Sequence, residues 1–382
     1  MTTSDAEKTT LRRAVAHVEL PAIAGNTEFL RSRLTGGAEL CAVVKADGYG
    51  HGCAEVARAA VAGGATRLAV VTVEEAALVA ALGLETTLII LAPIGEQDVV
   101  AAVETGAELT AWNSAQIGAI ARAAALLRRE VKIHVKLDTG MGRFGAREES
   151  EALVALDFAA GTEGVEPVAV WTHFATADEL GDDYFPLQLS RFTAFVERAR
   201  TAHPGLLAHA ANSAALLRDP ASHFDFARTG IAIYGLDPFG RDARAAGLTP
   251  ALSLHSYVAS VREVAEGESV GYGRRFIAGR DTRIATVPIG YGDGWRRILT
   301  NNCDVLIAGQ RHPQRGTVSM DSIMVELGPE SPIDAGTPVT LIGRDGDEAI
   351  TTEEVAERAQ TINYEITCGL TSRTVRDYGR GG

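Results

Sequence analysis

The 382-residue sequence has few cysteines, only Cys41, Cys53, Cys303 and Cys368. They form no CxxC pair and no compact metal-ligand cluster, which argues against a disulfide framework or a zinc ribbon; they read as reduced packing residues, and no metal site is expected. Long apolar runs are missing too. Stretches such as "TTLIILAPI" and "LCAVV" fall far short of the ~20 residues that cross a bilayer. Basic residues are outnumbered, 36 against 49 acidic ones, giving a formal net charge of −13. No overall positive field recruits nucleic acid or anionic lipid, and a phosphate must be held by local donors. The opening "MTTSDAEKTTLRRAV" sets acids and threonines before its arginines and lacks an apolar centre. It does not resemble a secretory signal, so the cytoplasm is the expected compartment.

What is present is an ordinary globular composition, 46% hydrophobic and 22% charged. The length suggests about two domains, with one large domain still allowed. Eight short apolar, β-branched runs fall at 40–45, 67–72, 87–91, 107–112, 131–138, 165–173, 206–211 and 229–235. Between most of them lie alanine-rich stretches with helical spacing, such as "CAEVARAAVAGG" and "SAQIGAIARAAALLRR". Alternation of this kind predicts parallel β-α-β units, and eight units close a TIM-type (β/α)8 barrel; an open doubly wound sheet is the rival. The barrel is favoured because polar residues recur after the runs: Lys45, Asp138, Arg143, His173, Asn212, Ser213, Arg228. After about residue 245 the pattern changes to close-set strands punctuated by glycine and proline, with one helix opening at Thr351 or Thr352. The expected division is therefore 1–245, an α/β barrel, and 246–382, a mainly β-strand domain.

A lysine closing a strand is most often a solvated, snorkelling side chain. At a barrel mouth it is partly desolvated, and its neutral amine becomes available for a Schiff base. Pyridoxal 5'-phosphate is the cofactor that most naturally demands such a lysine, together with a phosphate cradle and a partner for its ring nitrogen. "ANSAA" (211–215) and "RTGIAIYG" (228–235) offer a hydroxyl and glycine-adjacent N–H groups after the seventh and eighth runs, although small residues there are usually only turns. "KLDTGMGRFG" (136–145) carries Lys136 and Arg143 in a glycine-rich loop; the arginine fork suits a carboxylate or phenolate oxygen.

Nine segments in one order, "VVKADGYGHG", "LDTGMGRFG", "THFATADE", "HAANSAA", "RTGIAIYG", "GESVGYG", "IGYGDG", "VSMDS" and "NYEITCGLTSR", make the chain resemble the alanine racemases from about residue 14 to 378. The resemblance implies a pyridoxal-phosphate enzyme that interconverts L-alanine and D-alanine by a two-base mechanism and supplies D-alanine for peptidoglycan. By it, Lys45 carries the cofactor as an aldimine and serves one face of the substrate. Tyr49, Asn212, Ser213, the backbone of Gly230 and Ile231, and Tyr364 hold the cofactor. Arg228 faces the ring nitrogen, with His173 and His209 in the surrounding network. Arg143 clamps the substrate carboxylate, and Met320 and Tyr291 line its other side. Lys136 matches a position that is carbamylated in many members, which would turn a cation repelling Arg143 into an anion pairing with it.

The second base matches Tyr272, contributed by the other subunit of a homodimer with shared active sites. Its deprotonation is expected to be helped by positive charge at His173 and Arg228. Asp178, Arg297, Asp321 and Ile362 match the access corridor, and Thr317 stands where many members have arginine. Asp47-Gly48 replaces the frequent Asn-Ala. Four other readings compete with it: a serine or broad-specificity racemase, an inhibitor-sequestering homologue, an amino-acid decarboxylase, and a barrel-only cofactor-homeostasis protein. The decarboxylase lacks its glycine run and its cysteine loop here, and the last conflicts with the β domain and Tyr272.

Overall fold

The computed structural model describes residues 12–379 and divides into two compact units: Leu20–Pro250, and the described residues up to Glu19 together with those from Ala251 onward. The first strand, β1 (Val15–Val18), belongs to the second unit, where it pairs antiparallel with Leu252–Tyr257 and parallel with Val375–Asp377. The barrel unit thus begins at residue 20 and not at the N-terminus, and ends at 250, where a division after 245 was expected. Four residues are too short a run to show a period, which is why β1 carried no signal.

In Leu20–Pro250 eight parallel strands follow: β2 (Glu39–Val43), β3 (Arg67–Val70), β4 (Thr87–Ile90), β5 (Glu108–Ala111), β6 (Val131–Lys136), β7 (Val165–Trp171), β8 (Leu207–His209) and β9 (Phe226–Thr229). From β2 to β8 sequence neighbours are sheet neighbours, and β2 also pairs with β9. At the β8–β9 seam Asp225 N donates to Ala208 O at 3.0 Å and Arg228 N to Ala211 O at 2.9 Å, so the curl nearly closes. Helices cover the outside and side chains fill the inside, so most of these strands are buried along nearly their whole length. The alanine-rich segments are the helices their spacing predicted, Cys53–Ala62, Val73–Ala80 and Ser114–Leu127 among them. Thr72 Oγ1 accepts from Glu75 N at 3.2 Å while Glu75 reaches back to Thr72 N, a reciprocal capping box.

The eighth run differs from expectation. Its strand is Phe226–Thr229, and most of 229–235 is a 3-10 turn over Ile231–Tyr234. All four turn residues are buried, and an apolar run buried on every side carries no period that separates strand from turn.

The second unit continues with β10 (Leu252–Tyr257), β11 (Ser260–Val264), β12 (Ser269–Val270), β13 (Phe276–Ile277), β14 (Thr282–Val287), β15 (Asp304–Ile307), β16 (Gln310–Arg315), β17 (Ile323–Glu326), β18 (Pro338–Asp345), β19 (Glu348–Ile350) and β20 (Val375–Asp377). Its main sheet runs β11-β14-β17-β16-β15-β18-β10-β1-β20, with β19 on β18 and a separate β12-β13 ribbon. Here burial alternates, as in β10 and β17, because one face of each strand lies against the core and the other does not. Thr351 Oγ1 accepts from Glu354 N at 3.0 Å and caps the helix Thr352–Arg358, one of the two starts the sequence offered. No helix among the described residues is long and apolar enough to cross a membrane.

Candidate active site

Lys45 stands two residues past β2 and opens a turn, Lys45–Tyr49, that winds left-handed. φ is +52° at Ala46, +53° at Asp47, +60° at Gly48 and +51° at Tyr49. For the three non-glycine residues this conformation costs about 1–2 kcal/mol each, and it persists only where the surroundings enforce it. Ala46 N donates to Glu75 Oε1 at 2.7 Å, and Glu75 Oε2 accepts from Val71 N at 2.9 Å. Asp47 Oδ1 accepts from Cys53 N at 3.0 Å. The Tyr49 ring stacks on Tyr234, centroids 4.9 Å apart, and the Tyr234 hydroxyl donates to Val43 O at 2.9 Å.

Ser213 Oγ accepts from Gly230 N at 3.1 Å and Ala232 N at 3.3 Å, on either side of Ile231. A Cβ on Gly230 would lie 2.3 Å from the Tyr49 hydroxyl oxygen, so this close approach of ring to backbone requires glycine. Tyr49, Ser213 and the 230–232 backbone thus converge from three segments at the C-terminal ends of the strands. Hydroxyls and N–H groups without a carboxylate among them fit a phosphate. Asn212 Oδ1 is committed elsewhere: it accepts from Ala215 N at 2.9 Å and caps Ser213–Arg218, leaving the amide nitrogen to meet a ligand.

The loop after β6 is shaped by Asp138, whose Oδ1 accepts from Gly140 N at 3.1 Å, Met141 N at 2.7 Å and Gly142 N at 3.1 Å. Burial alone would raise the Asp138 pKa, but these bonds and the Lys136 charge outweigh it and hold the carboxyl low. The loop carries Arg143, exposed, its guanidinium 5.2 Å above the Phe144 ring. Lys136 is fully buried, donates to Phe144 O, and lies 4.7 Å from the Phe144 and 5.1 Å from the Trp171 ring centroids. Burial, with the charges of Arg143 and Arg228, lowers its pKa to about 8 against the pull of Asp138, so about a tenth of it is neutral at pH 7.

Arg228 is buried, and both of its terminal nitrogens are hydrogen-bonded. One donates to His209 Nδ1 at 2.7 Å; the other meets Thr172 O at 2.9 Å, Ala210 O at 3.0 Å and His173 Nδ1 at 3.1 Å. Burial lowers its pKa to about 10, which leaves it charged at neutral pH. His173 corrects an expectation: it is not positive. Burial, then the charges of Arg228, Arg143, Lys136 and Lys45, hold its pKa well below the ordinary histidine value. Four cationic side chains thus act on it: Lys45 past β2, Lys136 at the end of β6, Arg143 in the loop after β6, and Arg228 on β9.

The second unit holds the remaining expected residues. Tyr272 opens a short turn between Gly271 (φ +76°) and Gly273 (φ +70°), and 74% of its surface is exposed. Buried Thr317 donates to Tyr272 O at 2.7 Å, so the residue replacing the usual arginine supports the tyrosine's turn. Tyr291 and Met320 are neighbours: Tyr291 N donates to Ser319 O at 3.0 Å and Gly292 N to Met320 O at 2.9 Å. Both side chains are exposed, as are Ile362, Asp321 and Arg297, and in the barrel unit Asp178. Tyr364 is half-buried on the helix Asn363–Cys368.

Sequence reasoning missed Glu75, Tyr234, Ala232, buried His134 and its half-buried partner Glu108. A signal existed for His134: with Lys136 it shares one face of β6, a polar pair two residues apart, both buried where Lys132 at the start of the strand is exposed.

Residues 18–238 match the family pattern described as "Alanine racemase, N-terminal domain", and 251–378 match "Alanine racemase, C-terminal domain". The chain is 39% identical over 370 residues to an alanine racemase of Symbiobacterium thermophilum, covering 97% of this chain and 98% of the relative. It superimposes on the crystal structure of alanine racemase from E. faecalis with a TM-score of 0.89 at 35% identity, covering 96% and 98% of the two chains. With the Bartonella henselae alanine racemase, solved with covalently bound pyridoxal phosphate, the TM-score is 0.85 at 27% identity over 96% and 99%.

Proposed function

The chain belongs to the alanine racemase family, a family of pyridoxal-phosphate-dependent isomerases, and from that premise we propose how its own residues carry out the interconversion of L-alanine and D-alanine. The observation that carries the reading is the cradle of Tyr49, Ser213 and the 230–232 backbone at the strand ends that also carry Lys45, with Lys136, Arg143 and Arg228 adding positive charge that, after burial, helps keep His173 neutral. Such a concentration of positive charge calls for an anionic ligand, and a phosphorylated cofactor with an amino-acid carboxylate supplies two.

Lys45 would hold the cofactor covalently, and Tyr49, Asn212, Ser213, Gly230, Ile231 and Tyr364 would bind its phosphate and neighbouring groups. When bound, pyridoxal phosphate withdraws electron density from the amino acid joined to it and makes the α-hydrogen acidic. Arg143 orients the substrate carboxylate, and Met320 and Tyr291 line its other side. The Lys45 amine takes or returns the α-proton on one face, and Tyr272 of the partner subunit serves the opposite face. Arg228 gives the cofactor ring a donor that does not readily surrender its proton. Because His173 is neutral, the positive charge at the mouth comes from the arginines and lysines and not from the imidazole.

The high exposure of Tyr272, Met320 and Ile362 supports a homodimer in which these side chains are covered by a second subunit. Lys136, with its lowered pKa, can add through its neutral Nζ to carbon dioxide; the new N–C bond yields a carbamate and the proton passes to solvent. The resulting anion would pair with Arg143. The reading includes a cytoplasmic enzyme supplying D-alanine for peptidoglycan. Incubation with pyridoxal phosphate and L-alanine, D-alanine or L-serine in deuterium oxide tests it. Exchange of the α-hydrogen of both alanine enantiomers with conversion between them is expected. No exchange, or release of carbon dioxide, would overturn it.

A further inference from the structure

We propose that Glu108 and His134 are positioning residues for Arg228: a one-way hydrogen-bond relay from Arg228 through His209 and His134 to Glu108 fixes the ring tautomers that hold the guanidinium. The inference rests on the reading of Arg228 as partner of the cofactor's ring nitrogen.

The relay lies in the barrel interior. Arg228 donates to His209 Nδ1 at 2.7 Å, His209 Nε2 meets His134 Nδ1 at 2.9 Å, and His134 Nε2 meets Glu108 Oε2 at 2.7 Å. Direction follows from chemistry. An arginine only donates, so His209 Nδ1 accepts and its proton sits on Nε2. That N–H points at His134 Nδ1, which must accept, so the His134 proton also sits on Nε2 and is donated to the carboxylate. Every bond is satisfied in one direction, and reversing any tautomer sets two donors or two acceptors against each other.

The protonation states agree. Burial, then the Arg228 charge, holds His209 well below the ordinary histidine range. Burial also lowers His134 against the pull of Glu108. Burial alone would raise Glu108, but the His134 bond and the charges of Arg67 and Lys132 hold it low, as a carboxylate. The far end is itself anchored: Arg67 lies 3.8 Å from Glu108 and 2.9 Å from Glu39, with its guanidinium 4.7 Å from the Phe226 ring centroid. His209 is clamped between Trp171 and Phe226, at 5.5 Å and 4.2 Å between centroids. Glu108 opens β5, at the end of the barrel remote from Lys45, so the terminus of the relay touches neither substrate nor cofactor.

The test is ¹⁵N NMR of the histidine rings in the holoenzyme, paired with kinetics of Glu108→Gln and Glu108→Leu. Both His209 and His134 are expected neutral with the proton on Nε2; an Nδ1–H tautomer or an imidazolium at either overturns the relay. Glutamine still accepts from His134, so Glu108→Gln should keep the tautomers and nearly the wild-type kcat. Glu108→Leu should lose about tenfold or more in kcat with KM little changed. A leucine variant at full rate, or a glutamine variant as slow as leucine, contradicts the proposal. Should Glu108→Leu not fold, the wild-type tautomers and Glu108→Gln still decide. A wild-type protein that binds no cofactor or does not racemise fails the functional reading instead, and the ring tautomers then judge the relay separately.

Discussion

Lys45 and Tyr272, the two bases of the proposed reaction, stand in opposite surroundings. Lys45 opens a left-handed turn fixed by Glu75, Asp47 and the Tyr49–Tyr234 stack. Tyr272 stands on a turn between two positive-φ glycines, its backbone held by Thr317 and its ring largely in solvent. One is pre-organised at a cost of several kcal/mol in backbone strain, of the order expected for three left-handed L-residues. The other has an ordered backbone and no enclosure of its own. In the proposed reaction the difference means that a single chain carries one finished half of the chemistry, and the other half is left for a partner surface to complete.

Substitution can break the two halves separately. Lys45→Ala should lower racemisation by at least about 10³-fold and remove the visible absorbance of the bound cofactor, because anchor and base are lost together. Tyr272→Phe should cost about 10²–10⁴-fold, the usual worth of a positioned acid or base, while the absorbance remains. Equal loss of cofactor in both variants would erase the contrast. Gly230→Ala sharpens the Lys45 side alone. Its Cβ would sit 2.3 Å from the Tyr49 hydroxyl, and strain of about 1–3 kcal/mol should weaken cofactor binding by about 10–100-fold in equilibrium titration. Unchanged affinity would mean the cradle is looser than it looks.

The smallest effect concerns Lys136. Its pKa near 8 means that the neutral, carbon-dioxide-reactive fraction falls about tenfold per pH unit below that value and saturates above it. At equal dissolved carbon dioxide, a ¹³C-carbamate NMR signal should therefore be stronger at pH 9 than at pH 7 and absent in Lys136→Met. A signal independent of pH in that window would contradict the assignment.

The barrel was legible in the sequence because its strands and helices alternate at regular spacing and polar residues such as Lys45, Arg143 and Ser213 follow the runs. β1 was not legible, since four residues paired with strands more than 230 positions away leave no local trace. The turn Ile231–Tyr234 was misread as strand because burial on all sides removes the period. Within the site, Arg228 and Tyr49 could be matched by motif, whereas Glu75 acts on Ala46 from the next unit of the barrel and Glu108 acts two residues removed from Arg228. Contacts that depend on how strands stack around a barrel cannot be read from spacing along one of them. His173 shows the limit for charge: the sequence identified its neighbours, but only its burial among cations made it neutral.

The central claim, that one active site takes Lys45 from one chain and Tyr272 from another, is tested most directly by mixing the two inactive variants. Lys45→Ala and Tyr272→Phe subunits, carrying different affinity tags, are co-expressed, and the mixed dimer is isolated and assayed. If sites are shared, each mixed dimer has one site with both bases intact and should racemise at about half the wild-type rate. If mixed dimers are as inactive as either parent, both bases must come from the same chain and the account fails.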